Sequence, residues 1–110
     1  MVDAVIAALV GPHRRQILEL VRSEELPAGR IAAHFDISRP AISQHLKVLR
    51  DAGLVAERRD GTRRLYRARP EGFADVWEFI GEFWDAGLAR LKAEAERQER
   101  ALRAEEGEHR

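Results

Sequence analysis

Cysteine is absent from this sequence of 110 residues. Its absence excludes disulfides, thiolate metal sites and cysteine nucleophiles. Long apolar runs are missing as well, since no uncharged stretch approaches the ~18 residues that a membrane-spanning helix requires. The N-terminus carries Asp3 and lacks the basic opening of a secretory signal. We therefore expect a cytoplasmic protein with no membrane partner.

Aromatic residues are scarce, at 6% of the chain, and most of them lie in one segment. Both tryptophans and three of the four phenylalanines fall between Phe73 and Trp84. The hydrophobic fraction of 45% is ordinary for a folded protein. A chain of this length corresponds to a single domain, predicted here over residues 1–110.

The formal net charge is zero, but the charges are unevenly distributed along the chain. Residues 39–69 contain nine basic and three acidic side chains, a net charge of +6, whereas residues 70–110 carry −5. Seventeen of the 19 basic residues are arginine, whose forked guanidinium suits phosphate and guanine. A basic middle segment indicates an anionic partner that meets one face of the protein.

Helical periodicity and stop signals divide the first half of the chain into four short helices. They are predicted over residues 3–10, from 12 to the 23–26 region, over 28–35 and over 39–52. Ser38 is the candidate N-cap of the fourth helix, because its hydroxyl can accept a bond from a free N–H of the first turn. Pro40 suits that first turn, and Gly53 is the expected C-terminal stop.

The pattern changes to strands after Gly53 and returns to a helix after Pro70. Strand-like runs over 54–59 and 62–68 flank Asp60-Gly61, a strong hairpin signal. The last helix is predicted over about 71–103, with the charged end from residue 94 frayed. The fold class is therefore mainly α with a small β hairpin, a winged helix-turn-helix with a long C-terminal helix.

The helix-turn-helix (about 28–53) and the basic hairpin that follows it (the wing, about 54–68) predict a DNA-binding surface. A helix fits the major groove of B-DNA, where Gln44 can offer two bonds to adenine and Arg39 can fork onto guanine or phosphate. For His45, a DNA-facing position and a packing role remain equally open. The candidate DNA-binding residues are Ser38, Arg39, Ala41, Ser43, Gln44, His45 and Lys47 on the helix and Arg58, Arg59, Arg63, Arg64 and Arg67 on the wing.

Three segments resemble the ArsR/SmtB-type winged-helix transcriptional repressors. They are RRQIL at 14–18, SRPAISQHLKVLRDAGLV at 38–55 and the RDG of the wing at 59–61. The resemblance covers about residues 5–95. It implies an obligate homodimer, joined mainly by the first and last helices, that binds an imperfect inverted repeat and represses by excluding RNA polymerase.

The last helix independently calls for a partner, because about 50 Å of helix is longer than one small domain covers. Its apolar residues recur at spacings of three and four, and with the first helix they form the predicted dimer interface. That interface comprises Val5, Leu9, Phe73, Trp77, Ile80, Trp84, Leu88 and Leu91. An effector pocket between the aromatic side chains is a second interpretation of this segment, and contact with a coactivator or a membrane is a third.

The resemblance ends at the metal-sensing sites of the family. Its thiolate sites need cysteine, and its other site needs paired histidine and acidic residues on the last helix. The potential metal ligands on the last helix are all acidic, namely Asp75, Glu78, Glu82 and Asp85. The one histidine nearby is His109. We expect no metal and no cofactor. No nucleophile–base pair or phosphate loop is found either, so no catalytic residue is assigned and an enzyme is not expected.

The leading prediction is a homodimeric, sequence-specific repressor that binds a double-stranded DNA operator and does not respond to metal. One alternative is a winged-helix protein-interaction module that does not read DNA, against which the +6 middle segment argues. A second alternative is a repressor gated by an unidentified small apolar ligand at the dimer interface.

Overall fold

The computed structural model describes residues 2–108, and its elements follow the predicted order with two additions, the short strand β1 and a 3-10 turn. In chain order they are α1 (Val2–Val10), α2 (Pro12–Leu20), β1 (Leu26–Pro27), α3 (Ala28–Ala32), α4 (Arg39–Asp51), β2 (Val55–Asp60), β3 (Arg63–Ala68), a 3-10 turn (Pro70–Phe73) and α5 (Ala74–Glu108). The predicted fold class, a mainly helical winged helix-turn-helix with a long C-terminal helix, is confirmed.

The sheet has three strands rather than the two of the predicted hairpin. β1 pairs antiparallel with β3, so the strand order is β1-β3-β2. A strand of two residues is too short to show the alternation from which strands are recognised in a sequence. The predicted hairpin turn is also displaced: Asp60 pairs with Arg63, and the turn consists of Gly61 and Thr62. Gly61 has φ +64°, a conformation that glycine adopts without steric cost.

Three helix ends differ from the prediction. α2 stops at Leu20 instead of in the 23–26 region. α3 stops at Ala32 instead of Phe35, and the chain turns there into the connection to α4. The prediction that the last helix frays from residue 94 is wrong, because α5 continues to Glu108. Ion pairs within this stretch have the i,i+3 or i,i+4 spacing that supports a solvent-exposed helix, as in the pair of Arg103 with Glu99 at 2.6 Å. His109 lies outside the described residues.

The predicted capping and burial of α4 are confirmed. The Ala41 amide donates to Ser38 Oγ at 3.2 Å, which satisfies one of the open N–H groups of the first turn. Ile42, Leu46 and Leu49 are buried in the core that α1, α2, α3 and the sheet also line. The buried stripe fixes the rotation of α4 about its axis, so the opposite face is presented to solvent.

Contacts divide the chain into two compact units, one ending at Val76 and the other beginning at Trp77. The helix-turn-helix and the wing belong to the first unit. Among residues 2–108, none of the helices is both long and apolar enough to cross a lipid bilayer.

Candidate nucleic-acid interface

The solvent face of α4 carries most of the helix residues predicted to bind DNA. The exposed ones are Ser38, Arg39, Ser43, Gln44 and Lys47. Ala41 and His45 are half-buried and lie at the edge of this face. The exposed side chains can accept, donate or fork onto base edges and phosphates, which is the range of contacts that a recognition helix requires.

His45 is held by side chains of α2. Its Nδ1 lies 3.2 Å from Nη1 of Arg14, and its ring centroid is 5.5 Å from that of His13. Partial burial lowers the pKa of His45, and the charges of Arg14 and His13 lower it further. A DNA-facing position and a packing role were both left open for His45, and these contacts support the packing role.

The lowered pKa of His45 predicts a stability loss in mild acid. The unfolded chain takes up the proton near pH 6.5, whereas the folded chain takes it up only at lower pH. The contribution of neutral His45 to stability is therefore fully present above pH 6.5 and declines as the pH falls from 6.5 through the folded-state pKa. In urea titrations between pH 7.5 and 5.5, we expect the unfolding midpoint of the wild type to fall more steeply than that of His45→Gln.

A parallel pH dependence in the two proteins would contradict this assignment. His34→Gln is the matched control, because His34 is exposed and belongs to neither α2 nor α4. The control should retain the wild-type slope.

The wing presents its arginines on two faces. Arg59 lies opposite Arg64 across the hairpin and therefore shares a face with it. Glu57 lies two residues from Arg59 on the same face and joins the wing to α4, pairing with Arg64 at 3.3 Å and with Arg50 of α4 at 2.5 Å. The face with Arg59 and Arg64 is thus the one that Glu57 links to α4.

The opposite face of the hairpin is anchored by an acidic residue that precedes β1. Arg58 donates from Nε and Nη2 to the two carboxylate oxygens of Glu25, both at 2.9 Å. This hydrogen bond is the main reason that the pKa of Glu25 is lowered, and the charge of Arg67 adds to it. Arg58 therefore fastens the wing to the segment before α3, a role that the sequence prediction did not include.

A groove of about 400 Å³ runs between the start of α4 and the wing, and we call it the α4–wing groove. It brings together four of the predicted DNA-binding residues from both elements, namely Arg39, Ser43, Arg63 and Arg64. Thr62, at the turn of the wing, also lines it but was missed, because the turn was assigned one residue too early. Gly29 at the floor of the groove leaves room for Arg39, since a Cβ there would lie 3.3 Å from Nη1 of that arginine.

The residues predicted at a dimer interface are exposed to different degrees. Trp77 and Trp84 of α5 are 76% and 61% exposed, and the neighbouring apolar residues Ile80, Leu88 and Leu91 are also exposed. Leu9 and Phe73 are half-buried. Val5 lies in the protomer's own core at 1% exposure, whereas Ile6 and Val10 of the same helix are open to solvent. Ile6, Leu9 and Val10 of α1 therefore remain at least partly exposed, whereas Val5 does not.

Two apolar hollows bear on the alternative of an effector pocket. A hollow of about 130 Å³ lies beside Phe83 and Trp84. A larger apolar hollow of about 520 Å³ lies in the first unit, where Leu9, Leu18 and Phe73 contribute to its wall. No group of three or more histidine and acidic side chains able to hold a metal ion occurs among residues 2–108.

Residues 11–57 match the family described as bacterial regulatory protein, arsR family. A homodimeric winged helix-turn-helix DNA-binding domain from Mycobacterium bovis, a possible ArsR-family transcriptional regulator, has a similar structure. The TM-score is 0.62 and the identity 33%, with 76% of this chain and 78% of that chain covered.

Two relatives extend the match beyond the helix-turn-helix. The HTH-type transcriptional regulator Rv2034 of Mycobacterium tuberculosis is 42% identical over 86 residues, which cover 78% of this chain and 80% of that protein. The transcriptional repressor SdpR of Bacillus subtilis is 44% identical over 83 residues, covering 76% of this chain and 92% of the repressor. Because both matches span more than three quarters of each chain, the protein belongs to the ArsR family of DNA-binding transcriptional regulators and is not an enzyme.

Proposed function

We propose that this protein is a homodimeric repressor that binds an inverted-repeat operator. The observation that carries the proposal is the α4–wing groove, where Arg39 and Ser43 of the recognition helix lie beside Arg63 and Arg64 of the wing. In the proposed complex, α4 enters the major groove and Gln44 reads a base, while the wing arginines contact the flanking phosphates.

The exposed apolar face of α5 supports the dimer. Contiguous apolar surface of this kind is unusual on a protein that works as a monomer. A two-fold dimer presents two recognition helices to two half-sites, which accounts for an inverted-repeat operator. The Mycobacterium bovis domain is homodimeric and SdpR is a repressor, and both relationships favour the same assignment here.

We further propose that repression does not depend on a metal ion. The support is twofold: the whole sequence lacks cysteine, which removes the ligands of the thiolate sites. Residues 2–108 also contain no cluster of histidine and acidic side chains that could hold a metal ion. Zinc at stoichiometric concentration should leave both operator affinity and thermal midpoint unchanged.

The function is tested by selecting an operator from random duplexes and measuring its affinity by fluorescence anisotropy. Gln44→Ala is expected to lose discrimination at one symmetry-related pair of positions, by about 1–3 kcal/mol, because a bidentate contact to adenine is removed. Arg59→Gln is expected to weaken binding to every duplex alike and to reduce the salt slope by about 0.9 per protomer.

Arg100→Gln is the matched control, since it removes the same charge from an exposed position on α5. The control should bind like the wild type. If Gln44→Ala and Arg59→Gln lose affinity to the same extent on every duplex, α4 is not the element that reads the sequence. If no inverted repeat is selected, the proposed function is wrong.

A further inference from the structure

Arg14 of α2 connects three elements although it lies outside the α4–wing groove. Its Nε donates to the Ala8 carbonyl at 2.7 Å, and its Nη2 donates to the Ala7 carbonyl at 3.2 Å. Both acceptors belong to the last part of α1. Its remaining terminal nitrogen, Nη1, lies 3.2 Å from Nδ1 of His45 on α4. One guanidinium thus joins the carbonyl end of α1 to the recognition helix.

The backbone leaves space for this arrangement at Gly11. A Cβ at this position would lie 2.7 Å from Cζ and 2.8 Å from Nη2 of Arg14. The backbone of Gly11 has φ −74° and ψ 122°, which any residue can adopt. The backbone conformation therefore does not require glycine at position 11. A side chain there would instead displace the guanidinium of Arg14.

The contact also determines the tautomer of His45. A guanidinium is always protonated and can only donate, so Nδ1 of His45 must accept and the ring hydrogen resides on Nε2. The charged or titratable groups that face this ring from α2 are Arg14 and His13. Protonation of His45 would remove the acceptor and place a second positive charge beside Arg14.

We propose that Arg14 is a positioning residue for DNA binding, because its guanidinium sets α4 relative to α1 through the ring of His45. The inference rests on the proposed function, in which α4 reads the operator. His45 is the neighbour of Gln44 in sequence, so a displaced ring moves the backbone that carries the proposed base-reading side chain. Contacts to base edges tolerate errors of only about 0.5 Å, and this explains why a residue that need not touch DNA affects binding.

Three variants separate positioning from charge. Arg14→Gln removes the guanidinium, whereas Gly11→Ala keeps it but displaces it. Arg15→Gln is the matched control, because it removes the same charge from the neighbouring arginine. Arg15 donates to the Leu9 and Val10 carbonyls, and within residues 2–108 these hydrogen bonds do not involve α4. Arg14→Gln and Gly11→Ala should each reduce affinity for the selected operator about tenfold, the effect typical of one lost charge-assisted hydrogen bond, and Arg15→Gln by less than about twofold.

The double variant that combines Gly11→Ala with Arg14→Gln tests whether both changes act through the same contact. If Gly11→Ala acts by displacing Arg14, the double variant should bind about as weakly as either single variant. Independent effects would multiply to about a hundredfold. Circular dichroism and a urea titration of each variant identify any that has lost its fold.

A spectroscopic readout does not depend on DNA. Long-range proton–nitrogen spectra of the free protein at pH 8 should show His45 in the Nε2–H tautomer in the wild type and in Arg15→Gln. In Arg14→Gln and Gly11→Ala, both tautomers should be populated. The inference is overturned if the wild type shows no tautomer preference, if folded Arg14→Gln binds like Arg15→Gln, or if the two single effects multiply. Failure of the wild type to prefer any operator would instead overturn the proposed function itself.

Discussion

Trp84→Glu is expected to convert the proposed dimer into monomers and to reduce operator affinity by at least a hundredfold. A large aromatic side chain buries roughly 150–250 Å² in an interface, which corresponds to about 4–6 kcal/mol at 25 cal/mol per Å². In a two-fold dimer each substitution occurs twice, and each new carboxylate also has to be desolvated. Operator binding falls with the dimer, because a lone protomer contacts one half-site only.

Sedimentation velocity across a concentration series measures the first effect, and anisotropy on the selected operator measures the second. Ala89→Glu is the matched control, because it adds the same carboxylate to α5 on the helix face of Glu82 and Asp85. The control should remain dimeric. A dimer of unchanged affinity in Trp84→Glu would show that the exposed aromatic face is not the subunit contact.

Gly72→Ala is expected to destabilise the first unit by about 3 kcal/mol, at the upper end of what added volume costs in a packed structure. A Cβ at Gly72 would lie 2.0 Å from the Gly53 carbonyl oxygen and 2.8 Å from its carbon. Backbone atoms cannot move aside as a side chain can. The same carbonyl accepts a hydrogen bond from Arg69 at 2.9 Å, so displacing it disturbs the end of the wing as well.

Urea unfolding of the purified variants measures this difference. Gly107→Ala is the control, because the added carbon near the end of α5 meets no described residue within 4 Å apart from its own chain neighbours and the adjacent helix backbone. Its free energy of unfolding should change by no more than a few tenths of a kcal/mol. Equal stability of the two variants would mean that the 3-10 turn is displaced at little cost.

The parts of the fold that depend on local chemistry could be predicted from the sequence. The cap at Ser38, the buried stripe of Ile42, Leu46 and Leu49, and the stop at Gly53 each follow from one or two neighbouring residues. The recognition helix was therefore predicted nearly to its ends, and its exposed residues followed from the buried ones.

The features that depend on distant residues were missed. β1 forms because Leu26 and Pro27 pair with β3, some forty residues later in the chain. Two residues are too few to show a sequence pattern that would predict this pairing. Glu25 pairs with Arg58, and Glu57 pairs with Arg50 and Arg64, and no local sequence pattern indicates these contacts. The continuous helix beyond residue 94 was missed because a charged stretch was equated with fraying, although oppositely charged neighbours on one helix face stabilise it.

The carboxylates that pair with arginines in residues 39–69 also affect how strongly this segment attracts DNA. Of the nine cationic side chains in residues 39–69, five already hold a carboxylate within the described chain, which leaves Arg39, Lys47, Arg59 and Arg67 without an ion pair there. A phosphate that approaches a paired arginine has to displace a resident anion. We therefore expect binding to liberate fewer bound counterions than the charge of +6 suggests, and unrelated DNA to be held only loosely at cellular ionic strength. The ion pairs that fasten the wing in place would thus also limit binding at wrong sites.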